Sequence, residues 1–141
     1  MTILPSILHD QITALLDAGD RLFEKGDDAG ALAKYREAEI LLPTERERFE
    51  ASTLVAAAIG DTLFQLGQHA QVVETLQQAL GYPDGDDNPF VHLRLGQSLL
   101  ETGEEARALD HLARAFEYGG LDVFEDEDDK YLDFLKARIQ F

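Results

Sequence analysis

Three glycines, Gly26, Gly67 and Gly103, each sit inside the same short pattern of residues, and this recurrence constrains the fold more than any other feature. Leu15, Ala18, Gly19, Leu22, Gly26, Ala31, Tyr35 and Ala38 form one set. Ala56, Ile59, Gly60, Leu63, Gly67, Val72, Leu76 and Ala79 form a second. His92, Leu95, Gly96, Leu99, Gly103, Ala108, Leu112 and Ala115 form a third. One such unit cannot bury its apolar face alone, so the units must stack on one another and share a core.

Within each set the apolar residues recur at steps of three and four, the stripe of an amphipathic helix. Gly19, Gly60 and Gly96 lie in mid-stripe, where glycine costs roughly 1 kcal/mol against alanine. A costly choice made three times predicts a common cause: close approach of a partner helix, nearly backbone to backbone. Ala31, Ala38, Ala79, Ala108 and Ala115 supply small residues on the second helix of each pair. Gly26, Gly67 and Gly103 follow the first stripe, where a left-handed residue ends a helix at little cost. Tyr35, Leu76 and Leu112 then close each hairpin.

This pattern resembles the tetratricopeptide repeat, a helix–turn–helix unit of about 34 residues, over residues 12–45, about 53–86 and about 89–122. Pro43 falls where the family's terminal proline belongs, whereas Pro83 comes one position early and Gly120 takes the place in the third repeat. The resemblance implies an all-α chain, a single domain over 1–141 built as an α-solenoid of three repeats. The amphipathic stretch with Tyr131, Phe134, Leu135 and Ile139, about 129–139, reads as the capping helix such a stack needs. The repeat spacing is uneven: Gly26 to Gly67 is 41 residues, seven beyond the repeat length. Seven residues make about two helical turns. With Pro43, Thr44 and Glu47 read as a helix start carrying a capping box, they predict a long helix over about 45–66.

The chain has no cysteine, which excludes disulfides and thiol chemistry. Its amino terminus does not resemble a signal peptide, and no apolar run approaches a membrane span, so a cytoplasmic setting is expected. A formal charge of −16 argues against nucleic acid and against an anionic membrane surface as partners. The acidity has two readings, solubility or a basic partner steered in by the field. Asp122, Glu125, Asp126, Glu127, Asp128 and Asp129 crowd one segment before the terminal helix. Such a run is a solvated loop whose last acids favour the helix start. The whole ending is similar to that of small bacterial tetratricopeptide proteins, some associated with toxins.

No catalytic, metal or cofactor constellation emerges. Asp84, Asp86 and Asn88 have the spacing of a calcium-loop start, but Pro89 and Leu95 stand where glycine and glutamate are needed. His9, His69, His92 and His111 show no metal-ligand spacing. His92 occupies an apolar slot and is expected to be packed and hydrogen-bonded; His69 reads as a turn residue. Phosphate loops and nucleophile elbows are absent. A non-enzymatic protein is the expectation.

In a stack of tetratricopeptide-like hairpins, the first helices line a concave groove. The resemblance therefore points to Thr13, Leu16, Asp17, Asp20, Phe23 and Glu24 from the first repeat. Leu54, Ala57, Asp61, Phe64 and Gln65 come from the second, and Phe90, Leu93, Arg94, Gln97, Leu100 and Glu101 from the third. Phe23 and Phe64 suit groove or core equally. Leu16, Ala57, Leu93 and Asp20 stand where family members that clamp acidic chaperone tails carry basic or amide residues, so that ligand is not expected. An apolar partner with basic flanks is. The expected function is a protein-interaction module. A bacterial immunity protein that sequesters a toxin, or a secretion chaperone, is the alternative, and a dimer through an uncovered end face is compatible with either.

Overall fold

The computed structural model describes residues 3–140. Every regular element among them is helical. The chain runs α1 (Ser6–Glu24), α2 (Asp28–Leu41), α3 (Glu50–Gln65), α4 (His69–Ala79), α5 (Pro89–Glu101), α6 (Glu105–Gly119) and α7 (Asp129–Lys136), with 3-10 turns at Arg46–Arg48 and Leu121–Phe124. The first six helices pair as three antiparallel hairpins, each packed on the next, and α7 closes the far end against α6.

The three hairpin turns are built alike. Gly26, Gly67 and Gly103 have φ of 82°, 75° and 85°. In each turn the glycine N–H donates to the carbonyl three residues back, Phe23, Phe64 or Leu100. The next N–H reaches a carbonyl five back, at Leu22, Leu63 or Leu99. This pair of bonds satisfies the carbonyls a helix end leaves open. The turns expected at these three glycines are therefore the observed ones.

The mid-helix glycines work differently from the expectation. Only at Gly96 does backbone of the facing helix, the Leu112 nitrogen, come among the nearest atoms. Each glycine instead receives the large side chain of the facing helix: the Tyr35 ring lies over Gly19, Leu76 over Gly60 and Leu112 over Gly96. A methyl group on Gly60 would stand 2.6 Å from Leu76 Cδ2, and one on Gly96 2.7 Å from Leu112 Cγ. Leu76 and Leu112 are thereby wholly buried, each worth about 1.5–3 kcal/mol in apolar surface removed from water. One core extends from Leu4 through Ile12, Ile59, Leu76 and Leu95. A smaller one holds Leu93, Leu112, Ala115, Phe124 and Leu135 under the C-terminal cap.

Two boundaries depart from the sequence reading. The long helix expected over 45–66 begins only at Glu50, and no capping box forms at Thr44, whose hydroxyl bonds the Glu45 carboxylate at 3.1 Å. Phe49 is the cause. Its ring is buried in the core, and its backbone turns extended (φ −126°, ψ 128°) to place it there. The added residues form a connecting turn pinned by Arg46, which donates to the Glu39 carbonyl. The capping helix ends at Lys136 rather than 139. Ala137 and Ile139 continue as a turn, bonded to the Asp133 and Leu135 carbonyls.

His92 is buried as expected, with Nε2 2.6 Å from the Asp86 carbonyl and Nδ1 2.9 Å from His111 Nδ1. The carbonyl accepts a hydrogen bond from Nε2–H, and in that neutral tautomer His92 Nδ1 accepts while His111 Nδ1–H donates. His69 opens α4 rather than lying in the turn, its Nδ1 3.0 Å from Ser98 Oγ. Asn88 caps α5, its side-chain oxygen accepting from the Phe90 and Val91 amides.

Candidate functional site

On one face of the stack, α1 and α3 run side by side and leave a furrow between them. Near their C-terminal ends it widens into a notch of about 320 Å³ that brings together Asp20, Phe23, Glu24, Ala57 and Asp61, with Tyr35, Ala58 and Phe90. Asp20, Phe23 and Glu24 share a helix face at steps of three and four, as do Ala57, Ala58 and Asp61. Near the N-terminal ends lies a hollow of about 490 Å³. There Leu16 meets Ile3, Leu4, Ile12, Thr13, Phe49 and Leu54. Asp17 is exposed on α1.

The third repeat is arranged otherwise. Leu93, Arg94 and Gln97 lie on α5 as expected, yet all three are buried beneath the chain's own C-terminal segment. Arg94 donates from Nε to Asp61 Oδ1 at 3.0 Å and from Nη1 to Gln97 Oε1 at 2.8 Å and to Glu127. Gln97 Nε2 adds a bond to Glu127 at 2.7 Å. The guanidinium also lies over the rings of Phe64 (4.5 Å) and Phe90 (5.0 Å). Phe64 is half-buried, its ring in a T-shaped contact with His69 and tilted against Tyr131. Leu100 is half-buried against the main core. A groove open through all three repeats, as the resemblance implied, is thus reduced to its α1–α3 part.

Electrostatically the notch is acidic. Asp20, Glu24 and Asp61 line it, and Arg94 pairs with Asp61 and with Glu127 of the C-terminal segment. Tyr35 donates its hydroxyl proton to Asp20 at 2.5 Å. Burial first, and then that bond, hold the hydroxyl well above its ordinary pKa, so Tyr35 stays a neutral donor. At the far end, Tyr131 is likewise raised by burial and by Glu101, whose own carboxyl is lowered chiefly by its bond to Lys130.

Sequence reasoning did not place Tyr35, Ile3, Leu4 or Glu127 at this face. Tyr35 carried a signal, since its size at a slot otherwise filled by leucine lets its hydroxyl pass beyond Gly19. Glu127 carried none that separated it from the acids around it.

With nested hairpins, left-handed glycine turns and a terminal cap in place, the chain has a tetratricopeptide-like fold. No family model matches the sequence, and no curated protein does. Among solved structures, the chain is similar to the Yersinia enterocolitica type III secretion translocator chaperone SycD, with a TM-score of 0.66, 15% identity and 91% of each chain covered. It is also similar to MamA in two structures, each with a TM-score of 0.66. One is 20% identical and covers 92% of this chain and 75% of that one; the other is 15% identical and covers 89% and 74%. Among the described residues no helix is long and apolar enough to cross a membrane.

Proposed function

We propose that this chain is a non-catalytic protein-interaction module that holds a partner segment of basic and apolar character in the furrow between α1 and α3. The observation that carries this reading is the furrow's composition, a mainly apolar open hollow on the same two helices as a notch rimmed by carboxylates. Leu54 is 62% exposed there, and Glu24 is exposed without a hydrogen-bond or ion-pair partner among the described residues. Exposed apolar surface of this kind is characteristic of binding faces, and the field around a chain of charge −16 favours a basic partner.

A secretion chaperone is the form of this reading favoured by the similarity to SycD over 91% of both chains. An immunity protein that blocks a basic toxin surface draws on the same acidity. The test is retention of a partner from the native cell by the wild-type chain, by Leu54→Glu and by Glu24→Lys. Both positions are exposed, so both variants should fold. A partner bound by wild type and lost by tenfold or more in Leu54→Glu, roughly the effect of one anchor residue, supports the furrow. A partner indifferent to both substitutions contradicts it. Restored growth on co-expression with a toxic partner marks an immunity protein. A partner that aggregates without this chain marks a chaperone, and several partners bound at about micromolar affinity mark an adaptor.

A further inference from the structure

The furrow divides along its length into two unlike halves. In the hollow, Ile3 is 90% exposed beside Leu54, and the walls are mainly apolar, with His9, Thr13 and Glu50 among them. Seven positions farther along α3, Asp61 joins Asp20 and Glu24 in the notch. Asp61 is satisfied by Arg94 and Asp20 by Tyr35, but each carboxylate keeps acceptor capacity, and Glu24 is unengaged among the described residues. Burial of the hollow alone would suit any apolar surface. The adjoining excess of negative charge selects a cation beside it. A second copy of this chain is a poor occupant, because its own charge of −16 would meet the notch with like sign.

Resting on the reading of the furrow as the partner site, we infer that its ligand is a protein segment that presents an apolar anchor and a lysine or arginine about 10 Å apart. The anchor fills the hollow beside Leu54, and the cation enters between Asp20, Glu24 and Asp61. The separation follows from α3 itself, whose seven residues from Leu54 to Asp61 rise about 10 Å. A helical ligand covers that span in seven positions on one face. An extended ligand covers it in about three residues.

Synthetic peptides test this on the full chain by fluorescence anisotropy. One alanine-based helical series carries leucines at i−4 and i with lysine at i+7, or with lysine at i+3 as the mismatched control. An extended, proline-rich series carries leucine at i with lysine at i+3, or at i+1 as its control. The expected result is that at least one matched peptide binds about fivefold tighter or more than its control, a preference lost in Glu24→Lys, while Leu54→Glu weakens every peptide. Equal affinity across spacings, or no binding of any peptide at about 1 mM, overturns the inference. If spacing is irrelevant but Leu54→Glu still abolishes binding, the furrow stands as the partner site and the two-point ligand falls. If neither variant alters binding, the furrow falls too. A dimer seen by sedimentation and broken by Leu54→Glu assigns the hollow to a second copy instead.

Discussion

At Gly60 an added methyl group would meet the Leu76 side chain, and at Gly96 it would meet both the Leu112 side chain and, at 3.0 Å, the Leu112 backbone nitrogen. The residue-scale unit of this fold is thus a pair, a glycine notch on the first helix and a large side chain from the second. Gly60→Ala gains up to about 1 kcal/mol of helix propensity but loses about 1–3 kcal/mol to overpacking, so it should destabilise the chain. In a Leu76→Ala background the clash is gone, and Gly60→Ala should become neutral or stabilising. Urea denaturation of the two single variants and the double variant measures this coupling. Gly96→Ala should be rescued less by Leu112→Ala, because the backbone atom remains. That a glycine was needed at these places was legible from its recurrence in the stripe. What fills the notch was not, because spacing along the chain says nothing of how deep a facing side chain reaches.

Among the elements, the C-terminal segment has the most specific attachment. Six acids lie between Asp122 and Asp129, and in sequence they are equivalent. Folding selects Glu127, because the 3-10 turn Leu121–Phe124 buries Phe124 and so aims Glu127 at Arg94, 33 positions away. Glu127→Ala leaves a buried guanidinium short of one partner and should cost about 1–3 kcal/mol, whereas Glu125→Ala and Asp126→Ala, both exposed, should stay within about 0.5 kcal/mol. Denaturant midpoints separate the three. The α5–α6 hairpin carries a second, pH-dependent contact at His92 and His111. Burial first, and then the nearby His92, lower the His111 pKa from 6.5 to about 4, with Asp110 opposing and Arg114 and Arg107 adding slightly. The unfolded chain therefore binds the proton more readily. Stability from this group is present above about pH 6.5 and is lost as pH falls towards about 4. In His111→Asn, whose amide can replace the Nδ1 donor, the pH dependence of the urea midpoint should flatten across that window. The helix boundaries show the same division of legibility: glycine turns were readable because they are local, while the start of α3 was misread because Phe49 answers to a distant core.

At the scale of the whole molecule, three nested hairpins form the main core, and the cap closes one end over a smaller core while covering the α5 part of the concave face. What remains open is the furrow of α1 and α3, apolar at one end and acidic at the other. The face that the repeat pattern implied was legible as a face. Its closure over Leu93, Arg94 and Gln97 was not, since that depends on where the chain's last segment returns. Long-range charge should govern how a basic partner arrives. Its association rate should fall as salt rises, with a shallower dependence in Glu24→Lys than in wild type, measured by stopped-flow fluorescence. Whether a partner lies in this furrow is read by amide hydrogen exchange of the chain with and without its bound partner. New protection is expected in α1 and α3, centred on segments 12–24 and 50–61. Protection confined to α2, α4 and α6, with α1 and α3 unchanged, would contradict it.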